Sequence, residues 1–493
     1  MRLNDEDGQA LVFVVLAMSF FLLGAVGLAL DGSHLYAQRQ MAQTAADAAA
    51  QAGIMSIFDG TNGTGSGGFS TSSTITCTTT DTRTPCKYAS LNGFGSTASD
   101  TVTVSFPADT AAPGVTFSSD AVHLMQVTVQ RTVTTTLVHL VGPAATTVKA
   151  TALAAIVSVA SPVPILVTHP TLSNSFTLSG TPNVTICGGA GKSIQVNSSS
   201  ATAVSLGGNS SVDLSKAGPL DSGTCTTGTG ADFGVWGGPT AQPGGITTGV
   251  GRYIAPASPV QDPLASVSPP SVPTIAGTMT ALANGVSGCP ASPNKSCVLY
   301  SPGLYTAGID GKNSTPVFKP GIYYIQSTAG MVCSANCDMY MATGFTDGST
   351  GTNTGWTGNM LVYNTGPSGN STNAGTFDLG ANGSIYLTGS PGSSSYKGIL
   401  FFQDRSSVAL SHSLGGGGAI SLVGTIYMTN TLATMTATPS QYQSLSFSGH
   451  GGSSTTIQGE IIVGALSMGG SSGITMELNP GASVLVRQIA LVQ

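Results

Sequence analysis

From Ala10 to Leu30 the chain runs ALVFVVLAMSFFLLGAVGLAL without a charged residue. As a helix rising ~1.5 Å per residue it would reach about 31 Å, the depth of a bilayer's hydrocarbon core. Beyond it, SHLYAQRQMAQTAADAAAQAGIMSIF has no Pro and no Gly before Gly53, so the helix is expected to continue. Leu35, Met41, Ala42, Ala45, Ala49, Ala52 and Met55 recur at helical spacings and predict a small-residue stripe suited to close packing.

Between Thr101 and Val159 the apolar period falls to two. TVTVSF, LMQVTVQRTV and TTVKATALAAIV read as three strands, with TTLVHLVG between the second and third as a short helix. From about residue 161 the pattern changes again, to short β runs punctuated by Gly, Asn and Ser, among them FTLSG, SIQVNS, GILFFQD, SLSFSG, ITMELN and SVLVRQIALVQ. Ile420 and Leu422, Ile426 and Met428, and Ile461 and Val463 alternate toward one side. This fits a right-handed parallel β-helix, whose coils bury their apolar sides by stacking on neighbours; a β-sandwich is the alternative. The fold class is therefore mainly β. Residues 1–58 are the tail, transmembrane helix and continuing helix, 59–160 a small α+β unit, and 161–493 the β-helix. The Pro-rich IAPASPVQDPLASVSPPSVPTIAG is an extended excursion between coils or a stiff linker.

Composition sharpens this picture. Asp, Glu, Lys and Arg make up 7% of the chain, against about 25% in ordinary soluble domains. The polar surface must come from Ser, Thr, Asn, Gln and Gly, as in exported β proteins. A net charge of -6 and no Lys/Arg cluster exclude a nucleic-acid partner. A cleaved signal peptide is the competing reading of the apolar run, with Gly27-Leu28-Ala29 as its cleavage site. The run is longer than a signal core, however, and Arg2 faces Asp5, Glu6 and Asp7 where a basic segment would stand. An uncleaved anchor is expected.

Eight cysteines fall as sequential neighbours: Cys77/Cys86, Cys187/Cys225, Cys289/Cys297 and Cys333/Cys337. Four local disulfides are the simplest reading and place the domain in an oxidising compartment. Cys333-x3-Cys337 is open to a second reading as a metal or redox pair, although no His or further Cys pair stands near it to complete a zinc site.

The N-terminal stretch resembles the Flp (tight-adherence) pilus-assembly TadE/TadG-like family. Gly8, Gln9, Ala10, Asp31, Leu35, Tyr36, Gln43, Ala46, Asp47 and Ala48 to Ala50 fall in that family's order. A processed prepilin carries Glu five residues after its cleavage Gly; here that position is Phe13, which favours the TadG-like, uncleaved branch. The resemblance implies a pilin-like α+β unit after the anchor. It implies a single-pass protein of the bacterial inner membrane with its C-terminal domain periplasmic or extracellular. Partners would be other pilus-assembly or secretion proteins docking on the N-terminal helix, with surface glycans as a further candidate.

Material for catalysis is scarce. Glu occurs only at positions 6, 460 and 477, which leaves little for a paired-carboxylate site. Asp404-Arg405 reads as a turn before it reads as a site. The run Leu414-Gly415-Gly416-Gly417-Gly418 lacks the Lys-Ser/Thr of a phosphate loop and reads as turns. Gly449-His450-Gly451 resembles the Gly-His-Gly of pectin-degrading β-helices. The nearest acids in sequence are Asp404 and Glu460, and the one basic residue after His450 is Arg487. The expectation is a non-enzymatic component of a Flp/Tad-type pilus-assembly or secretion system, with the β-helix as scaffold or adhesin and no cofactor or metal. The alternative is a surface polysaccharide-binding or polysaccharide-degrading β-helix protein.

Overall fold

The helix formers from Glu6 onward meet no breaker, and they build one continuous helix, α1 (Glu6–Phe58). It stops at Asp59-Gly60, where Gly60 adopts φ +68° and Asp59 N–H still bonds Met55 O at 2.9 Å. The computed structural model describes residues 6–95, 99–115, 117, 121–140, 142–160, 163–220, 224–334, 336–345, 356–380, 382–392, 394–449, 455–478 and 485–492. The chain divides into two units, Met1–Val159 with Arg487–Gln493, and Ala160–Val486.

In the first unit the C-terminal half of α1 lies on an antiparallel sheet of β1 (Ile75–Thr76), β2 (Asp100–Ser105), β3 (Leu124–Thr134) and β4 (Ala145–Ala160). The period-two reading of these strands holds. Val102, Val129 and Ala150 form one cross-strand row, and Val104, Val127 and Ala152 the next, all buried. Against them α1 buries Ala42, Ala45, Ala46, Ala49, Ala50 and Ile54. The small side chains lie on the helix, and they pack against a sheet face made mostly of valine. Met41 and Met55, expected on this stripe, are about half exposed instead (48% and 50%). At about 100° per residue they fall around the far side of the helix from Ala42, Ala46 and Ala49. The short helix expected between β3 and β4 is a single 3-10 turn, Val138–Leu140. A further helix, α2 (Thr84–Leu91), joins β1 to β2 and carries Cys86.

Arg131, on the core-facing side of β3, clamps this unit. It donates to both Asp100 carboxylate oxygens (2.6 and 2.8 Å) and to Gln38 Oε1 on α1 (3.2 Å), and lies 3.9 Å over the Phe94 ring.

The second unit is built of parallel strands in three sheets of eleven, ten and eight strands, which the chain visits in rotation. Ile165–Val167, Phe176–Leu178 and Asn183–Gly188 lie in different sheets, and the next strand, Lys192–Val196, pairs parallel with Ile165–Val167. Each circuit therefore returns beside itself. Stacked inward positions make the core: Val362, Phe401, Ile426, Ile461, Ile165, Ile194 and Phe233 are successive rungs of one ladder and all are buried. The strand pair Met279–Leu282 and Cys297–Tyr300 runs antiparallel.

The order of rungs shows what the Pro-rich stretch does. Circuits before Ile254 stack outward from Ile165 in one direction; later circuits begin with Gly303–Tyr305 at the opposite edge and work back until Ile461 pairs Ile165. The segment between them is an excursion that packs on the unit as a strap, burying Ala257, Leu264 and Val267. It covers the outer side of the ten-stranded sheet, where Tyr324, Tyr363, Phe402 and Tyr427 stack with ring centroids 4.9 to 5.3 Å apart.

Two expectations need correction. The final run SVLVRQIALVQ is not a further coil: its strand, Leu485–Leu491, lies beside β4, and Val492 N–H bonds Leu153 O at 2.8 Å. β4 has an open edge once β3 is paired, and the last apolar residues satisfy it. Nor are Gly415 and Gly416 turns. They end the strand Leu410–Gly416, paired with Ser448 and Gly449. Glycine is needed there because a Cβ on Gly415, at φ +152°, would stand 1.8 Å from Ser448 O.

Candidate functional site

The motif positions sort along α1 by what they touch. Among the described residues from Leu11 to Leu30 the large apolar side chains face outward, with Phe13, Phe20 and Phe21 71 to 73% exposed. This stretch is long and apolar enough to cross a membrane, with a mean hydropathy of 2.7. Gly8, Gln9 and Ala10 belong to α1; their side chains lie outside the described set.

Asp31 ends the apolar stretch and is itself buried. Its carboxylate accepts the Thr136 hydroxyl (2.6 Å) and the backbone N–H groups of Thr136 (3.0 Å), Leu137 (2.9 Å) and Val138 (2.7 Å). These bonds, the Thr136 hydroxyl's foremost, hold the carboxyl well below the usual range. One turn earlier Gly27 faces Leu137; a Cβ there would sit 2.9 Å from Leu137 Cβ. Gly27 and Asp31 thus join α1 to the β3–β4 connection.

Farther along, Leu35 is half-buried against the core and Tyr36 is exposed. Gln43 donates to Asp47 Oδ1 (2.8 Å), one helical turn on, and to Thr151 O on β4 (3.2 Å). Ala46, Ala49 and Ala50 are fully buried. The motif therefore reads as an exposed apolar segment, a carboxylate joint and a docked alanine face.

The cysteines are paired as Cys77–Cys86, Cys187–Cys225, Cys289–Cys297 and Cys333–Cys337, so Cys333 and Cys337 are not free to bind a metal. Asp81 stands beside Cys77 and Cys86, but both sulfurs are in a disulfide and the carboxylate is held by Arg83.

Asp404 and Arg405 do not pair with one another. Asp404 accepts the Thr365 hydroxyl (2.8 Å) and Ser406 N–H (2.9 Å). Arg405 holds the strap: Nε donates to Tyr427 OH (2.6 Å), Nη1 to Val267 O (2.8 Å) and Nη2 to Leu264 O, while Tyr427 OH donates to Asp262. Burial pushes the Asp262 carboxyl and the Tyr427 phenol upward. His450 lies outside the described residues. Glu460 is buried, and Glu477 accepts from Gln458 at 3.4 Å.

Between strap and sheet ends opens a cavity of about 700 Å³ that sequence reasoning did not anticipate. Its walls include Trp236, Asn197, Gln261, Asn430, Leu432 and Met435. The available signals were Trp236, one of two tryptophans, and a Pro-rich segment carrying an acid. Neither indicates a partner far away in sequence.

No curated protein matches the chain. Among solved structures, the crystal structure of competence-associated pilin ComZ from Thermus thermophilus aligns with 80% of this chain and 84% of its own. Its identity is 11% and its TM-score 0.23, too low to carry an argument. The resemblance read from Gly8 to Ala50 holds: residues 8–56 match the family described as "Putative Flp pilus-assembly TadE/G-like".

Proposed function

We propose that this protein is a membrane-anchored, non-enzymatic component of a Flp/Tad-type pilus-assembly or secretion system. The observation that carries the reading is the division of α1 within the matched residues 8–56. Its first part exposes apolar side chains that only lipid or another apolar helix would cover, and its second part is consumed by the sheet. The segment up to Leu30 crosses the inner membrane once, uncleaved, and the paired cysteines put the rest of the chain on the oxidising side. The parallel-sheet unit is a right-handed β-helix that serves as scaffold or adhesin. A non-enzymatic role is supported by the commitment of Asp404 and Arg405 to hydrogen bonds that hold the fold together. Contact with a surface glycan is a second reading, favoured by the cavity beside Trp236.

Crosslinking in intact membranes, with capture of the full chain, tests the proposal. Recovery from the inner-membrane fraction with pilus-assembly proteins attached is expected. A chain found in the soluble fraction, or one whose C-terminal reporter works only in the cytoplasm, overturns it.

A further inference from the structure

The cavity under the strap lies wholly within the second unit. Its volume, about 700 Å³, is in the range of roughly 300–1,000 Å³ typical of small-ligand sites. Three features define what would fit.

The first is an uncovered aromatic face. Trp236 follows the strand Asp232–Val235 and is 40% exposed, whereas Trp356 is 5% exposed. A large ring left open in a concave wall is a stacking platform.

The second is cancellation of charge. Asp262 and Arg405 line the cavity, yet they are tied into one network through Tyr427. The guanidinium is held by Tyr427 OH, Val267 O and Leu264 O, and the carboxylate by Tyr427 OH and Leu264 N–H. An ionic ligand finds no free countercharge there, and burying its charge unpaired is costly.

The third is hydrogen-bonding capacity left over. Trp236, Gln261 and Thr171 line the cavity, Gln261 and Thr171 as exposed residues, and among the described residues the Trp236 indole N–H, the Gln261 amide and the Thr171 hydroxyl have no hydrogen-bond partner. A donor, a donor–acceptor and a hydroxyl around an aromatic platform match a ring with apolar C–H faces and a rim of hydroxyls.

We infer that the cavity is a binding site for a neutral glycan, with one sugar ring stacked on Trp236 and its hydroxyls meeting Gln261 and Thr171. This deepens the glycan reading and is independent of the membrane anchor. A Pro-rich peptide also stacks on tryptophan, but it offers acceptors alone where an amide and a hydroxyl beside the ring can both donate and accept.

Isothermal titration calorimetry decides, using the full chain in a detergent without sugar headgroups. The probes are cellohexaose, maltohexaose, chitohexaose, hexagalacturonate and hexaproline. At least one neutral hexaose is expected to bind, Trp236→Ala to weaken it tenfold or more at an unchanged melting temperature, and Gln261→Ala to weaken it several-fold. Trp236→Phe, which keeps a ring, should retain part of the affinity. A neutral sugar that binds equally well to Trp236→Ala overturns the cavity assignment and leaves the glycan reading standing. Absence of binding by every sugar overturns both. Preference for hexagalacturonate or hexaproline overturns the neutral-glycan assignment.

Discussion

Asp31 Oδ2 lies 2.7 Å from the backbone nitrogen of Val138, across 107 residues of chain. The same carboxylate collects the N–H groups of Thr136 and Leu137, so one side chain at the end of the apolar segment fixes the β3–β4 connection. Asp31→Ala is expected to loosen that connection without unfolding the sheet, raising hydrogen exchange at the Leu137 and Val138 amides. Asp31→Asn keeps the shape but loses the charge and should fall between. The folded carboxyl titrates below the ordinary value near ~3.9, so its contribution is complete above that pH and is lost as pH falls further. Exchange at these amides that is unchanged in Asp31→Ala would show that the contact does not order the joint.

Tyr427 relays between Arg405 and Asp262, one hydroxyl serving both. Tyr427→Phe removes a partner from a part-buried carboxylate oxygen and a part-buried guanidinium N–H, a cost of about 1 kcal/mol. The expected result is a lower melting temperature and faster proteolysis within residues 255–277, both measurable on the full chain. Equal proteolysis of variant and wild type would mean the strap is held by other contacts.

His412 ties this fold to pH. It is fully buried, its Nδ1 accepts the Phe377 N–H at 3.1 Å, and its Nε2 has no hydrogen-bond partner among the described residues. Burial pulls its pKa down to about 3. The unfolded imidazole, near ~6.5, takes a proton that the folded one refuses, so stability is full above that pH and falls as pH drops toward the folded value. The loss by pH 5 is about 2 kcal/mol. His412→Leu should flatten the dependence of melting temperature on pH between 7 and 5; an identical slope in the variant would assign the effect elsewhere.

The disulfides differ in the length of chain they close, from a separation of 38 for Cys187–Cys225 to 4 for Cys333–Cys337. In the chain-entropy account these are worth about 4 and about 2 kcal/mol respectively. Replacing both cysteines of the longer loop by Ser is expected to lower the melting temperature more than replacing both of the shorter. Peptide mapping without reductant checks the pairing itself, which crossed linkages would contradict.

Legibility in the sequence tracked the range of the interactions. Strands β2 to β4 were readable because Val102, Val127, Val129 and Ala152 alternate locally, and the Ala42 to Ala50 face because a helix repeats within a turn or two. The joint was half readable: Asp31 stood out as a motif position, but nothing near it announced Thr136 to Val138. The cavity was not readable at all. Trp236, Asp262 and Arg405 gain their meaning from rungs that are neighbours in space and far apart in sequence, and a Pro-rich segment looks the same whether it hangs free or straps a sheet. The closing strand Leu485–Leu491 was misplaced for a related reason: alternation predicts a strand and leaves its partner unspecified.

Gly415 shows the same limit and supplies the last test. In sequence it belongs to a run of four glycines that looks like a turn; in the fold it sits in a strand at φ +152°, with Ser448 O where a side chain would begin. Adding a methyl there forces backbone apart in the most regular part of the stack, since Leu410–Gly416 pairs over its whole length with Gln443–Gly449. Gly415→Ala is therefore expected to destabilise by more than ~1 kcal/mol, and to do so cooperatively, because each rung's core is completed by its neighbours. Gly392→Ala is the matched control: it stands in a turn, at a φ that any residue adopts, with nothing within 4 Å of its added Cβ. It should be neutral or stabilising by a few tenths to about 1 kcal/mol. Urea unfolding of the two variants against wild type measures the difference, and equal midpoints for Gly415→Ala and Gly392→Ala would mean that the strand does not approach Ser448 as closely as described.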